Sequence, residues 1–294
     1  EHSNSSIVSW RVASYADQLN VVSPSFTANN VSGRAAAVAC QTLAQEKPTC
    51  AMQVMGCDPY FTGSPGVAVR PAHNAAIESH QAVHGNVSLL PRLLSSSPIS
   101  LHSSLQHCLP SARKGRAIIP GGQGSLGTLT AVWMQQQHLQ QHVVLLGRNA
   151  HHVACNKSSH LFASAITATR CDAAVSEDIV YSFDNLGSSM VECVVFASGV
   201  LRDGLIWNQT AANASHTAAP KAFSLSTILQ RAAKHPLKAF VAFSSLAALN
   251  GSPGQSVYAS ANAMVDALMH GWHSSGGVGT SIQWGAFGHV AMAT

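Results

Sequence analysis

The chain is predicted to be an α/β protein built on an open parallel sheet, and three features of its 294 residues predict it. Gly121 to Gly127 reads GGQGSLG between an apolar run and a helix-forming segment. Strand-like runs at Ala117–Ile119, Val143–Leu146, Ala165–Arg170 and Val191–Gly199 follow one another, the first two separated by a helix, which is the alternation of a parallel sheet. Residues 241–268, VAFSSLAALNGSPGQSVYASANAMVDAL, read as buried strand, turn and helix.

Taken in chain order, Ile7 to Val12 is strand-like, Ala35 to Glu46 has helical composition, and Lys47-Pro48 ends that helix. Met52 to Met55 suggests a strand. Ala82 to Leu90 holds two short apolar segments around a turn signal, His84-Gly85-Asn86. Serine-rich Ser95 to Ser104 reads as a linker.

Gly122, Gly124 and Gly127 then match the G-x-G-x-x-G fingerprint, with Ser125 and Leu126 opening a helix over Ser125 to Gln137. Glycines let the backbone approach a pyrophosphate, and a helix amino terminus supplies free N–H groups and positive dipole for its charge. The bland reading is an ordinary strand-to-helix turn. Where an NAD-binding fold usually carries an acidic residue, the next strand ends in Gly147, Arg148 and Asn149. A guanidinium there favours a 2'-phosphate, and so NADPH over NADH, although it also suits a plain surface arginine. Asp172, after the third strand, offers a carboxylate for an adenine amine.

The apolar run Phe240 to Phe243 leads into Ser245, Gly251 to Gly254 reads as a turn, and Tyr258 and Asn262 lie four apart on one helix face. A hydroxyl facing a phenol and an amide can polarise a carbonyl oxygen and deliver a proton to it. Singly, each of these residues is better explained as a strand-end cap, a core tyrosine or a surface amide.

Jointly, these residues resemble the ketoreductase domains of modular and iterative polyketide synthases and of animal-type fatty acid synthase, within the short-chain dehydrogenase superfamily. The carriers are GGQGSLG, LLGRN, Cys171-Asp172, FASGVLRDGLIWNQT from Phe196, PKAF from Pro220, FSSLAALNGSPGQSVYASANA and SIQWGAFG from Ser281. The resemblance implies a Rossmann-like doubly wound catalytic subdomain over 111–294. A smaller, truncated Rossmann-like structural subdomain without cofactor would precede it over 1–110. TLAQEKP and NVSLLPRL look like later portions of that smaller unit, and the short stretch between Trp10 and Ala35 implies that it is incomplete.

Ordinary short-chain dehydrogenases carry lysine four residues after the tyrosine. These ketoreductases carry asparagine there and a lysine upstream, and Lys221, Ser245, Tyr258 and Asn262 fit that pattern. It implies that Ser245 and Tyr258 hold the ketone oxygen, that Tyr258 gives the proton, that Lys221 favours the phenolate left behind, and that Asn262 positions lysine and water. Ala197, Ser198 and Gly199 stand where the family flanks the nicotinamide, with serine replacing its usual alanine. Pro120 replaces its usual threonine before the glycine turn, removing a backbone donor from a turn that is still expected to form.

In Leu201-Arg202-Asp203, Asp203 matches the aspartate of the B-type fingerprint, and Asn250 stands where A-type enzymes have tryptophan. A D-configured 3-hydroxy product is implied. The expected reaction is NADPH-dependent reduction of a 3-ketoacyl thioester, carried by phosphopantetheine on an acyl carrier protein, amid neighbouring domains of a megasynthase. A catalytically silent structural ketoreductase and a stand-alone short-chain dehydrogenase are the alternatives.

Composition agrees. Hydrophobic residues make up 46% of the chain, enough for a packed core, and charged residues only 10%, with a formal charge of +4. Nucleic-acid binding therefore has little support, Arg113-Lys114-Arg116 being the one compact basic group. Sixteen histidines, His151-His152 among them, fall in no H-E-x-x-H or C-x-x-C spacing, so no metal is expected. Seven irregularly spaced cysteines fit reduced thiols in a cytoplasmic protein. With no apolar run of membrane-spanning length and no leader-like start, the chain is expected to be a non-membrane excerpt of a longer polypeptide.

Overall fold

The computed structural model describes residues 11–15, 18–23, 31–47, 51–57, 80–84, 87–89, 115–137, 139, 142–149, 165–186 and 190–286. Two sheets organise them. The first has strands β1 (Arg11–Tyr15), β2 (Gln18–Ser23), β3 (Ala51–Cys57), β4 (His80–His84) and β5 (Val87–Leu89) in sequential order. Its centre, β2-β3-β4, is parallel, while β1 and β5 are antiparallel edges. The expected turn around His84 to Asn86 falls between β4 and β5, which pair antiparallel, and Gly85 and Asn86 lie outside the described residues. The strand expected at Ile7 to Val12 starts at Arg11, and Ile7 to Trp10 lie outside the described residues, as does the linker at Ser95 to Ser104. Strand β2 was not anticipated.

Helix α1 (Val31–Glu46) follows β2 and starts four residues earlier than its composition suggested. Val38 meets Ala248, Ala259 and Ala263 of the second unit, small side chains that let the helices approach closely.

The second sheet is entirely parallel: β6 (Arg116–Pro120), β7 (His142–Gly147), β8 (Ile166–Arg170), β9 (Val191–Phe196), β10 (Ala239–Ser245) and β11 (Thr280–Trp284). Their order is β11-β10-β9-β6-β7-β8. Chain direction across the sheet therefore reverses between β6 and β9, which is where doubly wound folds bind ligands. The fourth expected strand, drawn to Gly199, ends at Phe196.

Helices α2 (Ser125–Gln136), α3 (Ser176–Asp184), α4 (Ala211–Ala218), α5 (Ser224–Ala232), α6 (Ala247–Asn250) and α7 (Ser256–Ser274) complete the unit. Both faces of the sheet are covered, which is why its strands read as continuous apolar runs. Ala117, Ile119, Val143 and Leu145 pack with Ala131 and Met134 of α2 on one face. Ile118, Val144, Val194 and Phe240 pack with Ile179, Phe183, Leu225 and Val265 on the other.

Between α4 and α5 the chain makes one π-helical turn, Ala219–Phe223. Pro220 lacks the N–H that an α-helical register needs, and the wider turn absorbs the defect. Ser224 Oγ donates to the carbonyls of Pro220 and Lys221 at 2.8 and 3.1 Å. Among the described residues no helix is long and apolar enough to cross a membrane.

Candidate active site

A cleft of about 900 Å³ opens at the carboxyl ends of the parallel strands. One wall is the glycine turn. Gly121 has φ +76, a conformation that disfavours any side chain, and a Cβ there would stand 2.5 Å from the backbone nitrogen of Ser198. The expected glycines were Gly122, Gly124 and Gly127, so the residue that makes the turn was missed. The signal that could have found it was its position as the first glycine after a strand-ending proline.

Pro120 does no damage. Its carbonyl accepts from Ala197 N at 2.8 Å, and the amides of Gly121 and Gly122 both reach Leu146 O, at 2.9 and 3.1 Å. Gly124 is the N-cap of α2 and no side chain caps that end, which leaves the first amides of the helix, at Ser125, Leu126 and Gly127, on the cleft without intrahelical partners. This donor set fits a pyrophosphate.

Arg148 and Asn149 are exposed at the carboxyl end of β7 and line the same cleft. Asp172 lines it too. Its Oδ1 accepts from Ala174 N at 3.0 Å and its own N–H donates to Asp178 Oδ2 at 2.8 Å, so Oδ2 of Asp172 can still accept from a ligand. Ala197, Ser198 and Gly199 form the floor after β9, with the buried Ser198 Oγ lacking a hydrogen-bond partner among the described residues.

Lys221, Ser245 and Tyr258 enter from the other side. The π-turn delivers Lys221 to the interior at 4% exposure, where Nζ donates to Phe243 O at 3.0 Å and Ser198 O at 3.3 Å. The ammonium lies 5.8 Å from the centroid of the Tyr258 ring. Burial pushes the Lys221 pKa down to about 8, with the carboxylate of Asp266 opposing the shift. Asp266 is itself held, accepting from Ser281 Oγ at 2.5 Å and Gln283 Nε2 at 2.7 Å on β11.

Ser245, the last residue of β10, accepts from Ala247 N at 3.2 Å. That bond starts the short helix α6, which was not foreseen and precedes the turn expected at Gly251 to Gly254. Asn262 is fully buried one turn behind Tyr258, outside the cleft lining, and its Nδ2 donates to Tyr258 O at 2.9 Å. Gly122 likewise lies behind the lining. Asp203 is exposed at the edge of the site, where Oδ2 accepts from Gln255 Nε2 at 3.0 Å.

Among the described residues no group of three metal-ligating side chains converges. Cys40, Cys171 and Cys193 form no disulfide there, and burial raises the pKa of Cys40 to about 11 and that of Cys171 above its ordinary value. His151-His152 and Arg113-Lys114 lie outside the described residues.

Residues 115–289, more than half of the chain, match the family model described as the KR domain. The chain belongs to the KR domain family. This KR domain is of the type found in type I polyketide synthases. It is 34% identical over 191 residues to a phenolphthiocerol/phthiocerol polyketide synthase protein of Mycobacterium tuberculosis (strain CDC 1551 / Oshkosh), covering 63% of this chain and 10% of that protein. It is 32% identical over 187 residues to polyketide synthase GfsA of Streptomyces halstedii, covering 62% of this chain and 2% of that one. The chain thus spans a tenth or less of these relatives.

Among solved structures, an A-type ketoreductase from a modular polyketide synthase superposes with a TM-score of 0.74 at 25% identity, covering 88% of this chain and 55% of that one. A ketoreductase domain from the bacillaene assembly line superposes with a TM-score of 0.73 over 94% of this chain and 67% of that one. At 17% identity it shows the shared fold alone.

Proposed function

We propose that this KR domain reduces a 3-ketoacyl thioester to the 3-hydroxyacyl thioester with NADPH, the acyl group being carried by phosphopantetheine on an acyl carrier protein of a megasynthase. The observation that carries the reading is the convergence of the Lys221 ammonium, 5.8 Å from the Tyr258 ring, with Ser245 on the cleft that also receives the uncapped amino terminus of α2.

The bound nicotinamide would supply hydride to the ketone carbon. The chain's own residues do the rest. Ser245 and Tyr258 hold the ketone oxygen, and Tyr258 donates the proton that turns the developing alkoxide into a hydroxyl. Lys221 stabilises the phenolate that remains, and its burial strengthens that effect by excluding solvent from the pair. Asn262, bonded to Tyr258 O, fixes the turn of helix from which the phenol projects. Arg148 is the partner for a 2'-phosphate, and Asp172 for the adenine amine.

Asp203 supports B-type stereochemistry and a D-configured product. Gln255, three residues before Tyr258, ties the Asp203 loop to the catalytic helix. Pro120, which together with the short amino-terminal region motivates the reading of a catalytically silent module, leaves the glycine turn formed.

Loss of NADPH absorbance with a 3-ketoacyl thioester tests the reading, for wild type and Tyr258→Phe. Turnover by wild type that falls by on the order of 100-fold or more in the variant is the expected result. No turnover by folded wild type, or equal turnover by the variant, sinks the catalytic reading. An L-configured product on chiral chromatography sinks the B-type assignment alone.

A further inference from the structure

The last turns of α1 reach out of the first unit and into the loops of the catalytic one. Glu46, half-buried, uses both carboxylate oxygens on backbone amides: Oε1 accepts from Gly254 N at 2.7 Å and Oε2 from Ile206 N at 2.7 Å. Thr42 Oγ1 accepts from Ser252 N at 3.2 Å, and Gln45 Nε2 donates to Asn250 O at 2.6 Å. The two loops also bond each other, through Gly204 N to Gly254 O at 2.7 Å and Gln255 Nε2 to Asp203 Oδ2 at 3.0 Å.

One carboxylate therefore bridges two loops of different function. Ile206 lies three residues after Asp203, and Gly254 four residues before Tyr258. Bonds from backbone N–H to an ionised carboxylate are short and about twice as strong as neutral ones. Both are at the short end of their range here.

We propose that Glu46 is a positioning residue for the reaction, setting the loop that carries Asp203 in register with the loop that leads into Tyr258. It acts through the backbone and touches neither substrate nor the phenol. By fixing the distance between these loops it determines how closely the site discriminates between the two faces of the ketone. The inference rests on the ketoreductase reading above, because only a prochiral substrate gives the bridge a stereochemical consequence.

Glu46→Ala and Glu46→Gln, made in the full chain, test it by two independent readouts. In Gln one acceptor is kept while the other is replaced by an NH₂ that faces an N–H, so one of the two loops is released. Hydrogen exchange should rise by about tenfold or more over residues 200–208 and 250–258 in Glu46→Ala, and over one of those segments in Glu46→Gln, while β6 and β9 stay protected. With a 3-ketoacyl thioester, the ratio of the two product enantiomers should fall by about tenfold and the thioester KM should rise, with the NADPH KM unchanged. Should Glu46→Ala fail to fold, the near-isosteric Gln variant carries both measurements.

Unchanged exchange in both loops overturns the proposal, and so does an unchanged enantiomer ratio in a variant whose loops have loosened. A wild type that oxidises no NADPH fails the ketoreductase reading and with it the stereochemical role. Exchange still decides the bridge in that event, loosened loops supporting it and protected loops overturning it.

Discussion

On one wall of the cleft the glycine turn is held mainly by its own backbone, with Thr128 Oγ1 donating to Gly122 O at 3.0 Å, whereas the wall proposed to be catalytic is held by side chains that arrive from distant parts of the chain. Gly121 N to Leu146 O, Gly122 N to Ile119 O and Gly124 N to Gly121 O, at 2.9, 2.9 and 3.0 Å, all lie within one strand–helix–strand unit. The catalytic wall instead depends on Lys221 reaching Phe243 O and Ser198 O, and on Glu46 reaching amides at Ile206 and Gly254. Side-chain truncation should therefore be tolerated on the first wall and damaging on the second.

Lys221→Met gives the largest expected effect and tests the second half of that statement. Removing the ammonium beside Tyr258 should lower kcat by about 100-fold. Stability should move the other way. The shift of Lys221 from 10.5 to about 8 means that burying the charge costs on the order of 3 kcal/mol, and a methionine of similar length avoids it. The pH dependence follows in sign. Between pH 8 and 10.5 the unfolded chain holds a proton that the folded chain has released, so wild type gains stability as pH rises through that window. Urea titrations should show this gain in wild type and not in the variant. Wild-type kcat should fall as pH rises through about 8, where the ammonium is lost. A variant of unchanged kcat would break the comparison at its strongest point.

Gly121→Ala probes the first wall through its backbone. A positive φ together with a Cβ placed 2.5 Å from Ser198 N forces the turn to shift. The strain is on the order of 2 kcal/mol, so the KM for NADPH should rise by about 30-fold with kcat at saturation little changed. Ser125→Ala, a side-chain cut at the same turn, should leave both within about twofold. Equal losses from the two changes would show that this wall, too, relies on its side chains.

The difference between the walls also explains what could be read from the sequence. A turn closed by its neighbours leaves a local signature, so GGQGSLG and the flanking runs placed β6, α2 and β7 within a residue or two. Ser245 and Tyr258 were legible for the same reason, since one strand, one turn and one helix carry both. Lys221 came only through resemblance: nothing in PKAF announces that Pro220 widens the helix and turns the lysine inward. Glu46 sits in TLAQEKP, a stretch legible only as part of the smaller unit, and its role was not, because its partners lie 160 and 208 residues away and the bonds exist only once α1 has packed on α7. Gly121 was overlooked although local, because it lies one residue before the G-x-G-x-x-G match that begins at Gly122.

Arg148→Ala should have the smallest effect, and it sharpens the comparison by asking whether any side chain matters on the cofactor wall. The guanidinium is exposed at the end of β7 and has no hydrogen bond or ion pair among the described residues, so the fold and kcat should be unaffected. Its one expected contribution is a charge-assisted bond to a 2'-phosphate, discounted for solvent to about 1.4 kcal/mol. That predicts a tenfold rise in the KM for NADPH and none in the KM for NADH. The double comparison matters because a general loosening of the turn would raise both constants together. Equal changes with the two nucleotides would assign Arg148 to the structure of the wall, while a change confined to NADPH would leave the turn as a backbone device to which a single side chain adds selectivity.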